Sequence, residues 1–188
     1  MIRRAWFVLL AIVVLLGLAT VFALTHLRMR AAASRLPERG SVREIVVGCP
    51  ARVQVTLDGR GIPHVRSESE TAMWFSLGYL HARDRFFQME LARRSGAGRL
   101  AEIFGETALN SDRTMRTLRL AASARRQSTM LSADERRIFD AYTAGINAAV
   151  DQFGRWIAPE IWLLGVDPEP WRVEDSLTIG LLLQLDLS

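Results

Sequence analysis

The chain has 188 residues, of which 49% are hydrophobic and 23% are charged, a balance that excludes an intrinsically disordered protein and suits one modest domain. All 24 basic residues are arginine, which favours bidentate pairing with carboxylates. Because these arginines are scattered without an aromatic-plus-basic motif, we predict no nucleic-acid partner despite the net charge of +4. Cys49 is the only cysteine, which excludes an internal disulfide and a thiolate metal cluster.

Residues 1–27 are predicted to be a membrane signal-anchor helix. The stretch 5–24 contains no charged residue and matches the roughly 20 residues that cross a bilayer as a helix. A cleaved signal peptide is the alternative, since residues 31–33 are alanines, but its apolar core is usually shorter, roughly 7–15 residues. Arginines flank the stretch on both sides, so the positive-inside rule leaves its orientation open.

Residues 28–50 are predicted to be a juxtamembrane linker, rich in arginine and interrupted by proline and glycine, with one short strand at 45–47. A domain is predicted over residues 51–188, beginning with a strand hairpin. Val53, Val55 and Leu57 alternate with polar residues, a glycine-bearing loop follows, and a second strand begins near residue 62. Pro63 cannot donate a ladder hydrogen bond, which predicts an edge strand.

A helix with two apolar faces is predicted over residues 73–91. Its hydrophobic residues fall on two roughly opposite lines at helical spacing, a pattern typical of a helix that lies between two layers. The first line contains Met73, Leu77, Leu80, Phe87 and Leu91, and the second contains Phe75, Tyr79, Ala82, Phe86 and Met89.

Asp84 interrupts the first of these lines. An unpaired carboxylate buried there would lower the free energy of unfolding by several kcal/mol, on the order of magnitude of a desolvated charge. We therefore predict a structural ion pair between Asp84 and Arg85, with Arg83 or a more distant arginine as the alternative partner. A role for Asp84 in a functional site is the other interpretation. His64 and His81 have no partner at metal-ligand spacing, so no metal residue is predicted.

Further helices are predicted after a break at residues 95–98. A short helix at 99–104 precedes a second helix at 111–130, which Ser111 caps. The regularly spaced arginines of the second helix are predicted to form a solvent-exposed face or, alternatively, to contact lipid headgroups or an acidic partner. Ser132 and Glu135 form a capping box at the start of the next helix. A last helix, capped by Asp175, is apolar on nearly all sides, which indicates that further sequence covers it.

The segment GYLHARDRFFQMELARRSGAGRLAEIFG, residues 78–105, resembles the alpha-chain motif of the penicillin acylases (penicillin amidases). Residues 61–65 are similar to the Gly-Val-Pro-His-Ile segment of that family, and parts of 164–177 resemble its next landmark, so the resemblance covers about 53–188 in family order. It implies an N-terminal-nucleophile hydrolase, in which a precursor cuts itself and the freed amino-terminal Ser of a second chain attacks a linear amide.

The resemblance implies a fold class as well. Residues 51–188 would be a partial alpha-chain domain, α+β and predominantly helical, within a four-layer αββα N-terminal-nucleophile hydrolase fold that follows an N-terminal transmembrane helix.

The resemblance also implies the site and its partners. By position alone, Gln184 and Ser188 lie at the edge of the substrate pocket, whereas the nucleophile belongs to the second chain, so no catalytic residue is assigned here. The calcium ligand of the family's alpha chain would follow Ser188, so no cofactor is predicted in this segment and calcium is left to the complete enzyme. The implied partners are a nucleophile-bearing beta chain or downstream sequence, a small-molecule amide substrate and the bacterial inner membrane, with the domain facing the periplasm or the cell exterior.

Two functions follow from the sequence. The preferred one is the N-terminal part of a penicillin-amidase-like hydrolase that cleaves linear amide C–N bonds in beta-lactam or other N-acyl substrates, and that is inactive without the nucleophile-bearing chain. The alternative is a non-enzymatic, membrane-tethered helical module that binds a partner through its leucine-rich last helix, or the product of a decayed gene.

Overall fold

The computed structural model describes residues 13–25, 42–44 and 48–187, which fall into two units, 1–38 and 39–188. The first unit contains helix α1, residues 13–25. Across the described ranges, no helix has both the length and the apolar character needed to cross a bilayer. The predicted membrane helix and linker lie partly outside these ranges, so both remain predictions.

The second unit begins with a three-stranded antiparallel sheet in the order β1-β2-β3, made of β1 (Val42–Glu44), β2 (Gln54–Leu57) and β3 (Pro63–Arg66). Val55 pairs with Val65 in the hairpin, and β3 lies at the edge, so both predictions about the hairpin are confirmed. The Asp58 carboxylate closes the loop by accepting hydrogen bonds from the backbone N–H groups of Arg60 at 2.8 Å and Ile62 at 2.9 Å. The strand predicted at 45–47 lies outside the described residues.

Helix α2 (Glu70–Ala97) is the longest element, and local interactions define both of its ends. The Ser69 hydroxyl accepts a hydrogen bond from the backbone N–H of Ala72, which is the usual role of an N-cap serine. At the other end Gly98 takes a left-handed conformation with φ 66° and donates its N–H to carbonyls of the last turn. Within the helix, Arg85 has non-helical angles, φ −141° and ψ 24°, which produce a kink.

Helix α6 (Ala133–Phe153) packs along α2 and forms the main core with it. Both hydrogen bonds of the predicted capping box, between Ser132 and Glu135, are present. Two glycines bring the backbones together: a Cβ on Gly78 would lie 2.1 Å from the Tyr142 carbonyl oxygen, and one on Gly145 would lie 1.9 Å from the Phe75 carbonyl oxygen. The buried cluster at this crossing consists of Tyr79, Ala82, Phe86, Ile146, Ala149, Val150, Ile157, Ala158, Ile161 and Trp171.

The two apolar faces predicted for α2 are covered to different extents. The line through Phe75, Tyr79 and Phe86 is buried, each of these residues being no more than 5% exposed. On the opposite line Leu80 is buried under the sheet, with Val53 and Val55, but Met73 is 43% exposed. Within the described residues, the second face is therefore only partly covered.

Four short elements follow α2: helix α3 (Ala101–Phe104), a 3₁₀ turn (Gly105–Ala108), helix α4 (Leu109–Leu118) and helix α5 (Leu120–Ser128). The prediction of one helix over 111–130 is wrong, because Arg119 adopts φ 61° and separates α4 from α5. Ser111 lies inside α4 rather than at its start. The break lets α5 turn and pack against the last helix.

The chain ends with a 3₁₀ turn (Gly154–Ile157), helix α7 (Pro159–Leu163) and helix α8 (Val173–Asp186). Helix α8 begins two residues before the predicted cap, since Asp175 lies in its first turn and its carboxylate accepts the Arg172 N–H at 2.8 Å. Asn147 of α6 fixes the preceding loop through two hydrogen bonds with the Trp171 backbone. The second unit is thus predominantly helical with a small sheet, as predicted.

Candidate functional site

The exposed end of α8 carries the residue that was expected at the substrate pocket. Gln184 is exposed between Leu183, which is 56% exposed, and Leu185, which is 38% exposed. By contrast, Val173 and Thr178 near the start of the helix are buried. Ser188, the second predicted pocket residue, lies outside the described residues. The helix is therefore buried at its first turns, and at its exposed end three leucines alternate with Gln184 and Asp186.

A group of charged residues that is buried at its centre contacts the start of α8 and the loop before it. We call it the arginine cluster: Glu90, Arg93, Arg94, Arg99, Glu102, Glu169 and Asp175. Its centre is Glu90, whose side chain is fully buried. One Glu90 oxygen accepts a hydrogen bond from Arg93, and the other accepts one from Arg94 Nε at 2.6 Å. Two guanidinium groups from the last turns of α2 therefore neutralise one buried carboxylate.

Arg93 extends the cluster from α2 to α8. Its side chain is 4% exposed, and Nη1 lies 3.4 Å from both Asp175 Oδ2 and the Pro170 carbonyl oxygen. Its guanidinium carbon lies 5.0 Å from the centre of the Trp171 ring, a cation–π distance. Burial raises the pKa of Asp175, because its desolvation outweighs the bonds from Arg172 and Arg93. Arg93 thus contacts the first turn of α8 and the loop that precedes it.

Arg94 and Arg99 form the outer part of the cluster. Arg94 pairs with Glu102, and Arg99 binds Glu169 at 2.6 and 3.1 Å and Glu102 at 2.8 Å through two nitrogens. The hydrogen bonds to Glu169 and Glu102 raise the pKa of Arg99, and those bonds hold the pKa of each carboxyl below its ordinary value. Arg94 is buried, whereas Arg99, Glu102 and Glu169 are partly exposed, and together they join α3 to the loop before α8.

The arginine cluster was not predicted from the sequence. Glu90 and Arg94 lie between the two apolar lines predicted for α2, where polar side chains are ordinarily exposed to solvent. Two signals could have revealed it: the spacing Glu-x-x-Arg-Arg, which places both arginines one turn from the glutamate, and the use of arginine at every basic position.

The predicted ion pair between Asp84 and Arg85 is wrong. Asp84 is bound by Arg83, with Nε 2.7 Å from Oδ1 and Nη2 3.0 Å from Oδ2, whereas Arg85 Nη1 donates to Gln88 Oε1 at 3.3 Å. The Asp84 side chain is also 43% exposed rather than buried. The carboxylate is exposed because Asp84 lies on the face of α2 that the described residues cover only in part, the same face on which Met73 is 43% exposed.

Neither His64 nor His81 has the surroundings of a metal ligand. His81 Nδ1 lies 2.9 Å from the Tyr142 hydroxyl, and burial lowers the pKa of His81, which favours a neutral ring. His64 is exposed and lies 3.6 Å from Asp58. Over the part of the chain that the structure describes, no group of three His, Cys, Asp or Glu residues could hold a metal ion.

Comparison with known proteins gives consistent matches. The model of the penicillin amidase family matches residues 52–188. The chain is 40% identical over 134 residues to the penicillin acylase 2 proenzyme of Pseudomonas sp. (strain SE83), which covers 71% of this chain and 17% of that protein. It is 34% identical over 172 residues to the acyl-homoserine lactone acylase QuiP of Pseudomonas fluorescens (strain Pf0-1), covering 92% of this chain and 21% of that protein.

A solved structure agrees with these sequence matches. The thermostable penicillin G acylase from Alcaligenes faecalis is 35% identical, with a TM-score of 0.62, and the match covers 69% of this chain and 70% of that chain. The helical unit therefore has the penicillin G acylase fold over this part. The chain spans about a fifth of the length of the curated relatives named above. Because the family match extends over most of its length, this chain belongs to the penicillin amidase family.

Proposed function

We propose that this chain is the N-terminal, alpha-chain part of an amide hydrolase that cleaves linear C–N bonds by acyl transfer to water. The observation that carries the proposal is the family match over residues 52–188, which includes all of α2 to α8. In the reaction, an amino-terminal Ser on a partner chain would attack the amide carbonyl, with its own amine accepting the proton. The C–N bond then breaks, the amine takes a proton and leaves, and water hydrolyses the acyl-enzyme.

The contribution of this chain would be to shape the pocket and to support the partner chain. We propose that the exposed end of α8 lies at the pocket edge, where Gln184 and Ser188 would contact substrate. The neighbouring Leu183 and Leu187, which are 56% and 88% exposed, suit burial against a partner chain or an acyl group. In this arrangement the helical unit forms one part of a four-layer αββα enzyme.

We propose N-acyl compounds as the substrate class. The relatives bear the names penicillin acylase and acyl-homoserine lactone acylase, and both names describe removal of an acyl group from an amine. A beta-lactam nucleus or a homoserine lactone is then the leaving amine. We further propose that residues 1–27 anchor the enzyme in the bacterial inner membrane with the domain outside the cytoplasm, and that calcium binding belongs to the complete enzyme.

A chimeric enzyme tests the alpha-chain role. The segment of the Pseudomonas sp. (strain SE83) proenzyme that aligns with this chain is replaced by the corresponding residues of this chain, and amine release is measured with N-acyl beta-lactam and N-acyl homoserine lactone substrates of matched acyl length. The same chimera with the nucleophilic serine changed to alanine is the matched control. We expect amine release from the chimera and none from the control.

This chain alone is the second arm of the experiment. We expect no amine release from the purified 188-residue product, because the nucleophile is placed on the partner chain. Hydrolysis by the chain alone would contradict that placement. A chimera that folds and is processed but hydrolyses neither substrate would contradict the alpha-chain role.

A further inference from the structure

The start and the end of α8 differ in how they are held. Near the start, Thr178 is 3% exposed and packs so closely on α2 that a Cβ on Gly96 would lie 2.6 Å from its methyl carbon. Glu174 accepts a hydrogen bond from the Ser128 hydroxyl of α5 at 2.9 Å. At the other end of the helix Leu187 is 88% exposed. The contacts with α2 and α5 named above therefore hold α8 near its first turns.

Arg93 has an arrangement that is poorly explained by stability alone. It is buried, its Nη1 contacts to Asp175 of α8 and to the Pro170 carbonyl are both long at 3.4 Å, and its Nε has no hydrogen-bond partner among the described residues. A buried ion pair often adds nothing to stability relative to well-packed apolar side chains, because desolvation of the charges offsets their attraction. What a planar guanidinium does supply is one defined geometry between the groups that it joins.

We infer that Arg93 is a positioning residue that sets the direction of α8 and thereby the place of Gln184 at the substrate pocket. This inference rests on the proposed function. Asp175 and Gln184 are about 13 Å apart along the helix axis at ~1.5 Å per residue, so a tilt of ~10° at the first turn moves Gln184 by ~2 Å. A displacement of that size at a substrate-binding site is sufficient to change substrate binding strongly.

The first experiment measures α8 in the full chain, without any substrate. The double variant Arg93→Met with Asp175→Asn removes both partners of the link and leaves Glu90 paired with Arg94. Amide hydrogen exchange of α8 residues 179–184 is expected to rise about tenfold, with no change in α6 residues 146–150. Arg137→Gln is the matched control, because Arg137 is exposed and forms ion pairs with the exposed Glu70 and Asp134. It should leave both regions unchanged.

The second experiment measures the chimeric enzyme described above, with rates normalised to titrated active sites. The double variant should raise KM about tenfold and leave kcat within about twofold, whereas a merely structural role would lower the number of active sites and leave KM unchanged. Arg93→Lys keeps the charge but not the planar fork, so KM should be restored only in part.

The outcomes separate this inference from the proposed function. Unchanged exchange in α8, or equal increases in α6 and α8, would overturn the role of Arg93, and so would a loss of kcat at constant KM. A chimera that is inactive with the original Arg93 would instead overturn the proposed function. In that case the exchange experiment still decides whether Arg93 holds α8.

Discussion

The crossing of α2 and α6 gives the most direct test of the fold. Gly145 approaches α2 so closely that a Cβ would lie 1.9 Å from the Phe75 carbonyl oxygen and 2.9 Å from the Tyr79 nitrogen. Alanine at this position must therefore move the two helices apart by ~1.5 Å to restore ordinary contact distances. Because the opposing atoms belong to the backbone, no side-chain rotation can relieve the clash.

The magnitude follows from the core at this crossing. Overpacking costs about 1–3 kcal/mol and occasionally more, and separation of the helices also loses dispersion contacts among Tyr79, Phe86 and Ile146. The better helix propensity of alanine contributes ~1 kcal/mol in the opposite direction. We therefore expect Gly145→Ala to lower the free energy of unfolding by ~2–3 kcal/mol.

Urea denaturation of the full chain, followed by far-UV circular dichroism, measures this change. Gly180→Ala is the matched control, because Gly180 also lies in a helix but a Cβ there would meet nothing within 4 Å. The control should raise the free energy of unfolding by ~0.5–1 kcal/mol. If Gly145→Ala is neutral or stabilising, like the control, the close crossing is wrong.

Three further predictions concern charged side chains, each measured by urea denaturation. Glu90→Gln removes the buried carboxylate that Arg93 and Arg94 share and should lower the free energy of unfolding by ~3–5 kcal/mol. Asp140→Asn, at an exposed pair with Arg136, should cost at most ~0.5 kcal/mol, and equal effects of the two substitutions would contradict the burial of Glu90. The Asp112 carboxylate accepts hydrogen bonds from the backbone N–H groups of Leu100 and Ala101, both at 2.8 Å. Asp112→Ala should lower the free energy of unfolding by ~1–3 kcal/mol and speed hydrogen exchange at those two amides, whereas unaltered exchange there would refute the contact. Arg99 lowers the pKa of Glu102 and Glu169 below the ordinary 4.5. The stability that these carboxylates contribute is therefore fully present above about pH 4.5 and is lost as the pH falls through the lowered pKa values. Arg99→Gln should make the free energy of unfolding less dependent on pH in that range, and an unchanged dependence would argue against these pairs.

Local features of the fold were predictable because they depend on neighbouring residues. The hairpin follows from alternation at Val53 and Val55 and from a loop that Asp58 closes. The start of α6 follows from Ser132 and Glu135, which bind each other's backbone within one turn. The family, too, was recognisable from motifs in the sequence.

Features that depend on distant contacts were missed or misplaced. Arg119 adopts a left-handed conformation although no local signal favours a break there, and the break is stabilised by packing of α5 on α8. Asp84 was placed on a buried line by the helical repeat, but among the described residues that face of α2 is covered only in part. Gln184 was placed at the pocket only through family position, and its exposure leaves that role a proposal.

The sequence by itself determined the start of α6 and the hairpin, because each of these is encoded in residues a few positions apart. It also determined membership of the penicillin amidase family, which is encoded in motifs along the chain. Only the tertiary structure decided which charges are buried. Glu90 and Asp84 both lie on α2 and both pair with an arginine of the same helix, yet Glu90 is fully buried and Asp84 is 43% exposed. The difference arises because α8 and its preceding loop cover the end of α2, and burial of a charge depends on which elements pack over it rather than on its own position in a helix.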